Sequence, residues 1–477
     1  MKTASGLFAI FIAGVFSAST VLAQTVAAPT ANDVAQNTQD SGDGAQDGPR
    51  DGVRIVRLSQ AHGKVLLDRD VHHGFEAAFA NLPITQGATL KTEDGLAEVE
   101  FEDNSSLRLT PNSMVEFSQL ARATDGSTAS TVKVLHGTVY VSLSKSRDNA
   151  VTLTSSEGRI TLSPASHVQF HVGLPGTSLS VMSGEAQAQV GPNVMTVTAK
   201  KSLLFNAANG NAATPTLVSH LEKNVFDNWD QNSTNYHKQF MNASSFGGSG
   251  LSGSTPRYGL SDLNYYGQFS DVGGCGSMWR PYFTSASWNP YGNGVWAQYQ
   301  GGGYSWVSPY PWGWTPFHSG SWDYCPTAGW GWRPGNNWMG LKNGRMPVVP
   351  GKGPARLGPP HPPVKGGASL VAVNTQPLSL SKQSDAGTFV FAGNSAGMGV
   401  PRQTFGRLGG ISSSVAQHGS FSLGSSFAGG SGGSSGFVAG AGASHSVSSS
   451  SVASSSFSGA SHGSSGGGSS ASGGGHR

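Results

Sequence analysis

Charge is scarce in this chain: only 12 % of its 477 residues are Asp, Glu, Lys or Arg, and they nearly cancel to a net +3. Nucleic-acid binding relies on clustered Lys and Arg that displace counterions. No such cluster occurs, so nucleic acid is excluded as a partner. Apolar residues are also thin at 37 %, against about 45–50 % in an average globular domain. With 68 glycines and a serine-rich end, much of the chain is excluded from a packed core. After the first residues no run is long and apolar enough for a membrane span, which takes about 20 residues. There is no H-E-x-x-H, P-loop or dinucleotide fingerprint, so neither a metal nor a cofactor is predicted. Gly429-Gly-Ser-Gly-Gly433 fits G-x-S-x-G, but it lies in low-complexity sequence and is a chance match.

What is present starts with an export signal. Lys2 supplies the positive start, Leu7 to Phe16 the apolar stretch, and Val21-Leu22-Ala23 a small-residue cleavage site. An uncleaved anchor is the competing reading. The short apolar stretch and the polar residues 17–20 after it favour cleavage, leaving residues 24–477 periplasmic or extracellular. Residues 24–52, polar and dotted with Asp, read as a disordered leader. Only two cysteines exist, Cys275 and Cys325. In an oxidising compartment the simplest reading is one disulfide; free thiols and a shared metal are the alternatives.

Residues 53–205 alternate apolar and polar side chains in short runs, as in Val139, Val141 and Leu143, or Val168, Phe170 and Val172. Period-two alternation means half-buried strands, and Asp103-Asn104, Asp125-Gly126 and Ser183-Gly184 supply turns. The expected fold class is all-β: a sandwich, a roll or a short β-helix. The run from Thr92 to Ser113, with Leu135-His-Gly137-Thr-Val139-Tyr-Val141 and Val181-Met-Ser-Gly184 after it, resembles the core motif of FecR-type domains. Asn104 stands where that motif has glycine, in a turn whose left-handed backbone Asn tolerates. In that family the resemblance implies an extracytoplasmic domain. Namesake members are membrane regulators that sense an outside signal and control an alternative sigma factor through a cytoplasmic segment. Here a cleavable signal takes that segment's place, so the transcriptional role is not carried over.

Residues 206–257 read as a polar connector, helix-like from Val218 to Trp229, where Leu221, Val225 and Trp229 recur at fours. The span 258–340 holds ten of the eleven tryptophans, Trp279 to Trp338. Trp296, Trp314 and Trp332 recur at eighteen, as do Trp312 and Trp330, and a W-x-P element appears four times. The reading is a small β-module of aromatic strands turned by Gly and Pro. It resembles a tryptophan-rich bacterial domain of unknown function that commonly follows FecR-like domains in exported proteins. With so few aliphatics, most rings must form the core. One to three are expected to form a ligand-stacking face, with Trp288, Trp296, Trp306 and Trp322 as candidates. From 341 to 477 the chain turns Pro/Gly-rich and then Gly/Ser-rich, which predicts a disordered tail, with some strand character between Leu370 and Val400.

Glu98, Glu100 and Glu102 alternate with Val99 and Phe101 and are expected to form a solvated acidic face, beside Glu93, Asp94 and Asp103; a cation or basic-ligand site is the alternative. His167, His171, His72 and His73 read as ordinary surface histidines, with a metal pair at His167 and His171 as the lesser alternative. The leading expectation is a non-enzymatic exported protein that binds or assembles within the cell envelope, with an envelope protein or glycan as partner. A sensory relay component is the alternative, and a glycan-binding or cryptic glycan-active protein a third. That third reading needs paired carboxylates, and the aromatic module supplies little beyond Asp323.

Overall fold

The computed structural model describes residues 53–174, 176–206, 214–241, 258–285, 287–300 and 303–338, with short pieces between 363 and 422. The expected signal and leader lie outside the described residues, as does most of the expected tail.

The strands of the first body are β1 (Val56–His62), β2 (Val65–Asp68), β3 (Phe75–Ala77), β4 (Pro83–Ile84), β5 (Thr89–Thr92), β6 (Leu96–Glu100), β7 (Ser106–Leu109), β8 (Ser113–Arg122) and β9 (Thr128–Ser142). They continue with β10 (Asn149–Thr154), β11 (Arg159–Leu162), β12 (His167–Val172), β13 (Thr177–Ser183), β14 (Glu185–Val190), β15 (Asn193–Thr198), β16 (Lys201–Asn206) and β17 (Thr214–Val218). Sheet A runs β4-β1-β6-β7-β9-β12-β13-β16-β17. Sheet B runs β3-β2-β5-β8-β9-β10-β11-β14-β15.

β9 belongs to both sheets. Its Thr128–Lys133 stretch pairs in parallel with β10, and its stretch from Gly137 to Ser142 pairs with β12. The crossover needs glycine at Gly137, whose φ is 92° and where a Cβ would sit 2.4 Å from Ser113 Cα. Leu58, Val99, Leu107, Val139 and Phe170 from sheet A meet Leu90, Val115, Phe117, Leu153 and Ile160 from sheet B in one core. Of the expected architectures, this is the sandwich. Asn104 takes the left-handed conformation expected of it, at φ 68°.

The connector is not helical where its periodicity suggests. Thr214–Val218 is strand, and helix α1 runs from Asp227 to Met241. Its start is set by polar chemistry: Asn224 Oδ1 accepts from Phe226 N–H (3.0 Å), and Asp227 Oδ2 accepts from Asn224 N–H (3.0 Å). Val225, one of the residues in the fourfold pattern, is exposed. The side chains α1 buries are Asp230, Ser233, Thr234, Tyr236 and His237, so it docks on sheet A through polar groups, while Tyr236, Phe240 and Met241 pack on the aromatic cluster.

The aromatic segment opens with α2 (Leu260–Tyr266) and continues through β18 (Gly267–Val272), β19 (Gly276–Pro281), β20 (Gly294–Tyr299), β21 (Gly303–Val307), α3 (Thr315–His318), β22 (Ser319–Cys325) and β23 (Gly329–Trp338). One sheet is ordered β18-β19-β23-β22; the other is β21-β20-β24, where β24 is Leu370–Val373. The second sheet thus takes an edge strand from the expected tail. A further piece of that tail docks in the aromatic core, where Ala396 and Met398 are buried and the Ala396 carbonyl accepts from Trp312 Nε1–H (2.7 Å).

Candidate functional site

The ring pairs of the module explain its composition. Trp312 stacks on Tyr310 (4.9 Å, 7°) and meets Trp279 (5.0 Å), Trp322 (5.9 Å) and Trp288 (6.0 Å) at steeper angles. Some indole N–H groups find backbone acceptors inside this core: Trp279 gives to Leu263 O, Trp322 to Pro316 O and Trp332 to Ser319 O, whereas those of Trp296, Trp306 and Trp314 are buried without one. Space for the rings comes from glycine. A Cβ at Gly267 would lie 2.3 Å from the Trp279 ring, and one at Gly294 2.1 Å from the Trp306 ring. His318 is buried among the rings, stacked on Trp338 (5.3 Å), with Nδ1 2.8 Å from Trp314 O. Burial, with the Arg57 charge adding to it, pushes its pKa down to about 4 despite that carbonyl.

Two sequence expectations for the module need correction. Trp288, Trp296, Trp306 and Trp322 are at most 6 % exposed and present no stacking face to solvent; with so little aliphatic surface, the core has taken them all. The eighteen-residue spacing is not a structural repeat, because Trp296 lies in β20, Trp314 just before α3 and Trp332 in β23. Cys275 and Cys325 form the disulfide, joining the turn after β18 to the end of β22.

The largest departure is on the outer face of sheet A. Outward-pointing Arg57, Ser59, Glu98, Glu100, Arg108, Tyr140, Gln169, Ser180 and Ser202 are all buried, with Glu98 and Glu100 at 0 % exposure. Alternation says which face a side chain takes, not whether that face is covered. Here α1, the segment before it and the aromatic module cover it. Ser202 Oγ–H donates to His220 O (2.8 Å), Tyr140 Oη–H to Asp227 (2.7 Å), and Arg108 to both Glu98 (2.7 Å) and Asp230 of α1 (2.7 Å). Arg57 donates to Glu100 (2.8 Å), to Asp262 of α2 (2.7 Å), to Pro311 O (2.6 Å) and to Asn81 Oδ1 (3.0 Å). Burial works against both guanidiniums, yet Glu100 and Asp262 around Arg57, and Glu98 and Asp230 around Arg108, hold them above their ordinary pKa.

His237 of α1 sits between the two glutamates. Nε2 is 3.0 Å from Glu98 Oε1, and Nδ1 is 3.4 Å from Glu100 Oε1 and 3.0 Å from Ser261 Oγ. Glu98, Glu100 and His237 bring ligand-type atoms within 4.8 Å of one another. The two ring nitrogens face different carboxylates, however, and the second oxygen of each carboxylate is held by an arginine. That is the geometry of a clamped imidazole rather than of three ligands around one ion. His167 is also no ordinary surface histidine, since Nε2 lies 2.7 Å from Asp230 Oδ2 under α1. His171 bonds Thr138 (2.9 Å), while His72 and His73 are exposed as expected. Nothing in the alternating pattern marks His237 or Asp262, which lie in α1 and α2, far along the chain from β6.

The seam continues onto the aromatic module. Asn81 donates to Ser308 O (3.0 Å) and Tyr310 O (2.6 Å), and Arg69 donates to Gln298 O and stands over the Tyr299 ring (5.5 Å). Tyr258, Ala297, Tyr299, Val307 and Trp314 pack in the same apolar cluster as the sandwich core. Among the described residues no helix is long and apolar enough to cross a membrane.

Residues 88–187 match the FecR protein family, and residues 260–342 match a family of unknown function, DUF6600. No curated protein matches the chain. Two crystal structures of candidate anti-sigma factors from Parabacteroides distasonis are similar to parts of it. One has 11 % identity and a TM-score of 0.25 over 32 % of this chain and 72 % of its own. The other has 8 % identity and a TM-score of 0.24 over 38 % of this chain and 92 % of its own. Both scores are too low to carry the comparison further. The FecR match runs from β4–β5 to β14 of the sandwich and the second match from α2 to the end of β23. The chain carries a FecR domain followed by a DUF6600 domain.

Proposed function

We propose that this protein is a non-enzymatic, exported relay component, in which the FecR sandwich and the aromatic module act together on an envelope protein partner. The observation that carries this reading is the buried seam on sheet A. Arg57 binds one carboxylate of the FecR domain and one of α2, so a partner that strains the module also strains the FecR face. Interior placement of the tryptophans favours a protein partner over a stacked glycan. The N-terminal residues, with their apolar stretch and small-residue cleavage site, support export. The test compares transcript profiles of cells with the gene intact, deleted, or carrying Arg57→Met. The reading expects one defined regulon to respond to both changes, and an unchanged profile in the deletion would remove the relay. Crosslinking in intact cells should then capture an envelope protein; capture of cytoplasmic proteins alone would count against export.

A further inference from the structure

We infer that β15 is a docking edge for a second copy of this chain, and that two copies join there by antiparallel pairing of β15 with β15 about a two-fold axis. The inference does not depend on the relay reading, because it rests on how the sandwich ends its sheets.

An edge strand carries a row of backbone N–H and C=O groups without partners, and folded proteins blunt such edges by shortness, proline, charge or cover. Among the described residues, sheet A ends in β4 and β17, and sheet B in β3 and β15. β4 is only the two residues Pro83–Ile84, both buried. β17 carries Pro215, which has no N–H to offer. β3 has three residues, and its Glu76 is held by Arg69 and Ser369. β15 has none of these devices. It runs for six residues, Asn193–Thr198, without a charged side chain or a proline, and among the described residues it pairs only with β14. Val194 on its outer face is 64 % exposed, and Thr196 and Thr198 on the same face are exposed too.

This strand suits a copy of itself. It bears no charge, so self-pairing sets no like charges opposite each other. Alternation fixes where the axis passes. Opposed residues of a ladder point to the same face, so the two-fold runs through a residue and not between two. The overlap is longest when that residue is Met195 or Thr196. With either centre, Met195, which packs on the sandwich core but is only partly buried, gains an inward-facing neighbour, the partner's Met195 or the partner's Val197. Val194 meets the partner's Thr196 or the partner's Thr198, cross-strand pairs of a kind that stabilises sheets. Symmetry also favours a second copy over an unrelated strand. A foreign strand covers β15 and exposes an edge of its own, whereas two-fold pairing uses up both open edges and closes.

β15 is about 20 Å long, and one such pairing makes a smaller interface than the about 1,200–2,000 Å² of stable complexes. The dimer therefore forms and dissociates with concentration. Sedimentation velocity of the full chain from roughly 1 µM to 1 mM should show monomer giving way to dimer. Val194→Lys with Thr196→Lys puts charge on two side chains already in solvent, which leaves the sandwich intact and blunts the edge. Dimerisation should then weaken by about tenfold or more. Cross-linking reads the pairing directly. Cys275 and Cys325 are bonded to each other, so Thr196→Cys supplies one free thiol per chain. The two thiols lie about 5–8 Å apart with either centre, within reach of a short bis-maleimide. Gln187→Cys, opposite Thr196 on β14, lies one strand further from the axis in each copy and should cross-link poorly. A chain that stays monomeric over the whole range overturns the inference, even if its β15 amides are protected from hydrogen exchange, because its own tail then holds the edge. A dimer equally stable in the lysine variant, or cross-linked as readily through position 187 as through 196, places the interface elsewhere and overturns it too.

Discussion

Acid should loosen the aromatic core through His318. The unfolded imidazole takes its proton near 6.5, whereas the buried ring resists until about 4. Desolvation disfavours the charged ring, and the Arg57 charge adds to that, while Trp314 O on Nδ1 only partly offsets it. Between those values the unfolded chain binds more protons than the folded one, so stability falls as pH falls. At 1.36 kcal/mol per pH unit the whole interval corresponds to roughly 3 kcal/mol. About 2 kcal/mol of this should already be lost at pH 4.5. His318→Asn keeps an N–H for Trp314 O but cannot take up a proton. Urea unfolding followed by tryptophan fluorescence, at pH 7 and pH 4.5, reads the effect from the module itself. The variant should begin less stable at pH 7, because a smaller side chain leaves space beside Trp338. It should then lose about 2 kcal/mol less than the wild type on acidification. Parallel losses in the two proteins would refute the reasoning.

Other perturbations follow from the same packing. Gly294→Ala should destabilise by about 1–3 kcal/mol or more, because its Cβ meets the Trp306 ring, while Gly273→Ala meets nothing within 4 Å and should be neutral; thermal melts of the pair check this. Replacing both cysteines with serine releases a 50-residue loop, which the chain-entropy relation values at about 4 kcal/mol; denaturant midpoints with and without reductant should agree with the variant. Trp312→Ala, at the centre of the ring cluster, should cost about 3–5 kcal/mol, measured by the same unfolding. Arg57→Met leaves Glu100 and Asp262 buried without their guanidinium, a loss of about 3–5 kcal/mol. Glu100→Gln in that background should recover part of it.

Much of the fold was legible because it depends on local rules. Alternation along β9 and β12 placed Val139, Val141, Val168 and Phe170 in the core, and Asn104 stood at a turn whose left-handed backbone it tolerates. The site was not legible, because it is made by covering. Glu98 and Glu100 have the pattern of a wet strand face, and only the docking of α1 and of the start of the aromatic module, more than a hundred residues later, makes them buried. The helical spacing at Leu221 and Val225 misled for a related reason: α1 meets sheet A through Asp230, Thr234 and His237, and its apolar contacts are confined to Tyr236, Phe240 and Met241 near its end, so no apolar period runs along it. The regular tryptophan spacing misled too. A ring fills core from a strand, a loop or a helix start alike, so spacing alone does not reveal a repeated unit. Residues 369–373 and 395–398 show that even a low-complexity stretch places strands and small side chains where a sheet edge and an indole N–H lack partners.

Equilibrium urea unfolding followed at once by tryptophan fluorescence and far-ultraviolet circular dichroism tests the central claim, that the FecR sandwich and the aromatic module are welded by the seam around Arg57 and Asn81. The account predicts one shared midpoint in the wild type, moved as a unit by Arg57→Met. A fluorescence transition completed while the sheet signal is still native would contradict it.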